Sequence, residues 1–301
     1  MIPVSRLAHV SLRTARLEQM VTYYTEVLGF EETGRTGDGA VRLGCGDART
    51  ALEFIPAGEP ALDHIALALP LGLSADAAIA ELEAVSARPL ELELVPDAVA
   101  GIGLKDPDAL GVQLLEVLYP PEPSSPGPRA EGRGIGPVKI GHVAIKVEDV
   151  AAVQSFYQER LGFRFSDAIG DDFVFLRCNV DHHALNFLRA EPVGGVHHIA
   201  FELQDWAQIK RACDELSAHG ITLLWGPGRH GPGHNLFTYH QDPDGNIIEL
   251  FAELDHMSNE GVGVYDWRPW HDGPQVPRRW EWTELASANS WGVLPPPEMG
   301  G

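Results

Sequence analysis

One series of motifs is written twice in this chain. AHVSL at residues 8–12 returns as GHVAI at 141–145, YYTEVLGF at 23–30 as FYQERLGF at 156–163, and DHIALAL at 63–69 as HHIAFEL at 197–203. The offset is 133 residues for the first two pairs and 134 for the third, so strand and helix signatures recur with almost no drift. That restricts the fold to two copies of one module. A chain of 301 residues has room for both, each with a buried core. Between them, PPEPSSPGPRAEGRGIGP is too rich in Pro, Gly and Ser to hold a helix or strand. The expected division is a first module at 1–119, a linker at 120–137, a second module at 138–254 and a C-terminal arm at 255–301.

Within the second module, Asp149 is placed to N-cap a helix over 150–160, with Gly162 just past its end. Residues 163–165, 173–178 and 184–188 read as short strands between polar or Gly-containing turns. The pattern restarts at Val196 with a strand to Leu203, a helix from about Asp205 to the Gly220 stop, and strands ending at 246–251. Each module is thus expected to be two βαβββ units, an α+β arrangement whose mixed sheets curl, barrel-like, around a concave space fit for a ligand. The arm lacks this alternation but carries Trp267, Trp270, Trp280 and Trp282 among Pro and Arg. It is too aromatic for a solvated tail, and is expected to pack across the surface or over a site mouth.

Composition removes several function classes. A formal charge of -21 opposes nucleic acid and anionic membrane surfaces, and no basic patch overrides it. No apolar run approaches the ~18 to 20 residues of a membrane span, and MIPVSRLAHVSL lacks the basic start and apolar core of a secretory signal. Cys45, Cys178 and Cys213 lie far apart without CxxC spacing, as reduced thiols do. The expectation is a cytoplasmic, homo-oligomeric protein acting on small molecules.

The chemistry concentrates in the second module. His142 lies in the strand VKIGHVAIKV, His198 in VHHIAF and Glu249 in DPDGNIIELF, so three separate strands offer two imidazoles and one carboxylate. Strand alternation puts His142 on one face with Ile140 and Ala144, and lets only one of His197 and His198 reach a given face. Glu249 sits among Ile247, Ile248, Leu250 and Phe251, where an ionised carboxylate is costly unless paired or bound to a cation. Two histidines and a carboxylate are the protein ligands of a facial triad, which leaves about three corners of an octahedral Fe(II) open for substrate and oxygen.

With these motifs, residues 1 to about 255 resemble the type I extradiol ring-cleaving dioxygenases of the vicinal oxygen chelate superfamily, which also holds glyoxalases and bleomycin resistance proteins. The resemblance implies that His142, His198 and Glu249 hold Fe(II), with Mn(II) as the alternative, and that the enzyme opens a catecholic ring with O2 in aromatic hydrocarbon catabolism. Further positions match the dioxygenases. In CNVDHHALNF either His182 or His183 falls at the family's acid-base histidine, and His183 aligns better; a shifted alignment would put Asp181 there. His230 in GPGRHG matches a histidine that hydrogen-bonds oxygen and the substrate hydroxyl. Tyr239, ten residues before Glu249, matches a tyrosine at the catechol oxygen. Asn235 would help hold oxygen and substrate. Trp225 replaces an arginine found in relatives that bind carboxylated catechols, which implies an uncharged substrate unless it is simple packing.

Two other readings use the same scaffold: a glyoxalase-type lyase or isomerase, which needs a carboxylate or water base, and a non-catalytic protein that binds an aromatic ligand. For the first module, His9 and His64 match His142 and His198, and Glu116 seems to complete a second set. Glu116 follows Gly111 by five residues where Glu249 follows Gly245 by four, a register slip that would put Leu115 at the ligand position. One iron per chain, with a metal-free first module, is the expectation.

Overall fold

The computed structural model describes residues 1–46, 48–83, 94–95, 98–117, 134–257, 278–283 and 288–299. In the first module β1 (Arg6–Thr14) leads through a short helix α1 (Leu17–Thr22) and a π-helical turn (Tyr23–Val27) to β2 (Glu31–Arg35), β3 (Val41–Cys45) and β4 (Ala48–Pro56). The second unit follows as β5 (Ala61–Ala68), α2 (Ala75–Glu83), β6 (Ala98–Lys105) and β7 (Gly111–Val117). It has three described strands where four are expected; the stretch between α2 and β6 lies largely outside the described residues. So does most of the expected linker.

The second module has both units complete. They are β8 (Lys139–Val147), α3 (Val150–Leu161), β9 (Arg164–Ile169), β10 (Phe173–Arg177) and β11 (Leu185–Arg189), then β12 (Val196–Glu202), α4 (Trp206–Ala218), β13 (Trp225–Arg229), β14 (Leu236–Gln241) and β15 (Ile247–Ala252). Asp149 caps α3 by accepting from the Ala152 N–H, and Gly162 ends it at φ 68°, a left-handed angle that costs glycine little. Asp205 caps α4 in the same way through the Gln208 N–H. The three cysteines are free thiols. No described helix is long and apolar enough to cross a membrane.

Among the described residues each module forms one sheet: seven strands in the order β2-β3-β4-β1-β5-β7-β6, and nine in the order β13-β14-β15-β12-β8-β11-β10-β9 with one further strand beyond β9. The ninth, β16 (Arg278–Trp280), comes from the arm and runs parallel to β9. Parallel pairs β1–β4 and β5–β7, with β8–β11 and β12–β15 in the copy, close each βαβββ unit on itself; antiparallel β1–β5 and β8–β12 join the two units.

The apolar faces of both sheets merge into one core. Phe30 and Tyr24 from the first module pack edge-on against Phe201 of β12. Around them Tyr24 hydrogen-bonds Asp242, and Tyr23 hydrogen-bonds the His240 ring. The Ile135 and Gly136 N–H groups donate to Val27 and Leu28, while their carbonyls accept from Gln208 of α4. The chain entering the second module is therefore fastened to both.

Candidate metal centre and active site

The site lies across the three middle strands of the nine-stranded sheet. Ala200 of β12 pairs with His142 on β8 and with Glu249 on β15, so the two side chains flank a methyl group and meet above it; His198 is two residues along β12 on the same face. The tips form a triangle: His142 Nε2 to His198 Nε2 is 3.2 Å, His142 Nε2 to Glu249 Oε2 is 3.1 Å, and His198 Nε2 to Glu249 Oε2 is 3.3 Å. Ligands about 2.1 Å from an ion on adjacent octahedral corners stand about 3 Å apart. The three donors are 1 to 4 % exposed and outline one face of such an octahedron. Donor type, burial and spacing all fit a divalent cation.

The surroundings fix the chemical state of each donor. Asn235 donates from Nδ2 to Glu249 Oε1 at 2.9 Å, leaving Oε2 for the triangle. Burial alone would raise the Glu249 carboxyl, but the His142, His198 and His230 imidazoles outweigh it and hold the group down at about 2. His198 is pushed well below the usual imidazole range, chiefly by burial, and is neutral. Its tautomer follows from a chain of bonds. The Met299 carbonyl can only accept, so His197 donates from Nε2 at 2.8 Å. His197, itself lowered by burial, then offers a bare Nδ1 to the Nδ1–H of His198 at 2.7 Å. The His198 Nε2 lone pair is left facing the triangle.

His183 lies against the centre, its ring 4.3 Å from that of His142, and burial together with the His142, His182, His198 and His230 imidazoles keeps its pKa well below 6.5. Its Nδ1 meets His182 Nδ1 at 2.9 Å. His182 Nε2 lies 3.4 Å from the Asp167 carboxylate without a hydrogen bond among the described residues, and with His183 as the donor of the Nδ1 pair its Nε2 is left as a free acceptor. Asp181, the residue of the shifted alignment, is turned away into an ion pair with Lys139 at 2.7 Å.

His230 donates from Nδ1 to the Ala288 carbonyl at 2.6 Å, and its Nε2 accepts from the Tyr239 hydroxyl at 2.9 Å. Burial, then the Glu249 charge, raises the Tyr239 pKa well above 10. With its proton held, Tyr239 is the donor to His230. Of the two readings left open for Trp225, packing is the one that fits: it does not line the cavity but stacks behind Tyr239 at 5.5 Å, its Nε1 donating to the Val293 carbonyl.

The donors open into a cavity of about 690 Å³ that includes some open solvent. His142, His183, His198, His230, Asn235, Tyr239 and Glu249 all line it. The opposite wall is formed by Phe173, Phe175, Ile169 and Leu188 from the sheet, which the sequence did not single out, and by Trp282, Pro295 and Met299 from the arm, expected to pack across the surface or over a site mouth. Trp282 stacks on Phe173 with planes 9° apart. Asn289, 1 % exposed, secures the arm by accepting from the Arg229 and Trp291 N–H groups. Asn186 also lines the cavity, with its Oδ1 unpartnered among the described residues.

Close packing behind the centre explains Gly141. A Cβ there would lie 2.3 Å from Phe251 Cζ, and the Phe251 ring abuts His142 at 5.2 Å. Gly141→Ala is expected to cost about 1 to 3 kcal/mol by overpacking. Urea unfolding measures it, and a loss under about 0.5 kcal/mol, ordinary for a surface change, would show that the strand yields freely.

Comparison with known proteins places the chain in a family. The model of the Glyoxalase/Bleomycin resistance protein/Dioxygenase superfamily matches residues 6–130 and 139–250. The biphenyl-2,3-diol 1,2-dioxygenase of Pseudomonas sp. (strain KKS102) is 30% identical over 273 residues, covering 82% of this chain and 88% of that protein. The manganese-dependent 2,3-dihydroxybiphenyl 1,2-dioxygenase of Geobacillus genomosp. 3 is 26% identical over 269 residues, covering 83% and 85%. Among solved structures, the 2,3-dioxygenase LapB from Pseudomonas sp. KL28 superposes with a TM-score of 0.78 at 23% identity, covering 94% of this chain and 99% of that one.

Proposed function

The chain belongs to the Glyoxalase/Bleomycin resistance protein/Dioxygenase superfamily, and from that premise we propose that it is an Fe(II)-dependent extradiol dioxygenase that opens an uncharged, apolar catechol with O2 in the cytoplasm. The observation that carries this reading is the donor triangle of His142, His198 and Glu249 beside a neutral buried His183. His142, His198 and Glu249 would hold the metal, which would supply open coordination positions, Lewis-acid polarisation and redox chemistry for a catechol and dioxygen.

The remaining work falls to the chain. His183 takes a proton from a catechol hydroxyl at its free Nε2 and returns it as the oxygen–oxygen bond breaks, an exchange suited to an imidazole held neutral. Tyr239 offers its phenol proton to a catechol oxygen once that oxygen replaces His230 as acceptor. His230, relieved of that bond, turns toward the oxygen side of the site. Asn235 holds Glu249 in place. The arm closes the apolar side of the cavity and, through the Met299 and Ala288 carbonyls, sets the tautomers of His197 and His230. The glyoxalase-type alternative fares worse on this lining. Among the described residues Glu249 is the only carboxylate facing the cavity, so that reading would have to rely on a water as its base.

The substrate class follows from the walls. Among the described residues no lysine or arginine lines the cavity, so a carboxylate would enter without a partner at a cost of several kcal/mol. With protein reconstituted anaerobically with Fe(II), oxygen-electrode kinetics should favour 3-methylcatechol or 2,3-dihydroxybiphenyl over homoprotocatechuate by about 100-fold or more in kcat/KM, the equivalent of about 3 kcal/mol. Preference for the acid would sink the substrate assignment; no oxygen uptake with any catechol would sink the activity. Running the panel with Mn(II) in place of Fe(II) decides the metal.

A further inference from the structure

The first module repeats the metal centre's geometry, with a donor added. Ala66 of β5 pairs with His9 on β1 and with Gln113 on β7, as Ala200 pairs with His142 and Glu249. His64 is two residues along β5, as His198 is along β12. Glu53 on β4 pairs with Ser11, which also pairs with His64; the copy has Asn186, Ala144 and His198 in those places. The true counterpart of Glu249 is therefore Gln113. Neither Leu115 nor Glu116 holds that position, and the Glu116 carboxylate instead accepts from the Ala75 N–H of α2.

The geometry points to a second divalent metal site, formed by His9, Glu53, His64 and Gln113 and structural in role. His9 Nε2 faces His64 Nε2 at 3.4 Å, close to the 3.2 Å of the catalytic pair. His9, Glu53 and His64 bring one donor atom each within 4.8 Å of one another. Asp63 accepts from His64 Nδ1 at 2.9 Å, which leaves the His64 Nε2 lone pair facing inward, a carboxylate–histidine arrangement typical of metal ligands. Arg42 Nε donates to Glu53 Oε1 at 2.9 Å, while Oε2 accepts from the Ser11 hydroxyl of the cluster at 2.9 Å.

Gln113 is the independent sign. It is 1 % exposed, and neither amide atom has a hydrogen-bond partner among the described residues, an expensive state for a buried amide. Its register places it beside Ala66 on the face that carries His9 and His64, where an ion would take its carbonyl oxygen. Gly103 stands on β6 where Tyr239 stands on β14, so the copy lacks the phenol of the catalytic centre. Four protein donors, all at most 7 % exposed, make a closed site that ties β1, β4, β5 and β7 together. Two imidazoles, a carboxylate and an amide oxygen suit Zn(II) or Mn(II).

The test removes the catalytic centre first. The full-length His142→Ala/Glu249→Ala chain, stripped of metal and dialysed against Zn(II) or Mn(II), is expected to retain one ion per chain by elemental analysis and to melt at a higher temperature with the ion than without it. Adding His64→Ala should abolish both effects. Gln113→Leu, which keeps the volume and is the variant to use if His64→Ala fails to fold, should weaken binding by about tenfold or more. A folded His142→Ala/Glu249→Ala protein, checked by near-UV circular dichroism, that holds no ion overturns the site. So does undiminished affinity in Gln113→Leu.

Discussion

Glu249→Ala is expected to strip the catalytic centre of its metal and to lower turnover of a catechol by about 10³-fold or more, since several kcal/mol of charge stabilisation leaves with the ion. Glu249 supplies the only negative charge in the donor triangle, and it remains ionised at 1 % exposure because the imidazoles around it outweigh burial. Without it, His142 and His198 offer two neutral nitrogens, too little to hold a hard divalent ion in a buried site. Asn235→Ala provides a graded comparison. It removes only the bond to Oε1, so metal affinity should fall by about 10- to 100-fold, as is typical for groups that orient a ligand. Elemental analysis and oxygen uptake read both variants. A Glu249→Ala protein that keeps its catalytic metal and rate would mean the ion sits elsewhere.

The features legible in the sequence were those with local or periodic causes. Period-two alternation and the repeat exposed His142 and His198 together, and an Asp cap with a Gly stop marked α3 almost to the residue. What escaped depends on pairing between distant strands. The turn before β7 reaches its positive φ at Ala109 (φ 65°), not at a glycine, whereas the matching turn before β15 uses Gly245 (φ 84°). Counting from Gly111 as though it matched Gly245 displaced the register and hid Gln113. Glu53 was invisible for a related reason: it joins His64 only because β4 lies parallel to β1, a long-range pairing without a local signature. The arm carries no periodicity, so its packing over a site mouth could be expected only in outline from its tryptophans, and neither the part Pro295 and Met299 play in the wall nor the carbonyls that fix His197 and His230 could be read before the fold was known.

His183→Gln should separate binding from chemistry. The substitution leaves the triangle intact, so metal content and the affinity for an apolar catechol under anaerobic conditions should stay within about threefold of the parent, while kcat falls by about 10²-fold or more for want of an acid-base group. Glutamine fills much the same space and still donates a hydrogen bond, but it cannot accept a proton and hand it on. The pH dependence sharpens the test. Burial and four neighbouring imidazoles depress the His183 pKa, so in the free enzyme it is a neutral acceptor both at its unperturbed value of 6.5 and above it. Lowering the pH from 7.5 to 6.5 should therefore leave the parent's kcat/KM free of a titration belonging to this residue. If His183→Gln turned over the catechol at the parent rate, the proton would have to travel by another group. Tyr239 is a poor substitute, since burial and the Glu249 charge keep its phenol protonated. That leaves His230, whose Nε2 is freed once Tyr239 turns to substrate, and the double variant His183→Gln/His230→Gln would then be the one that loses the activity.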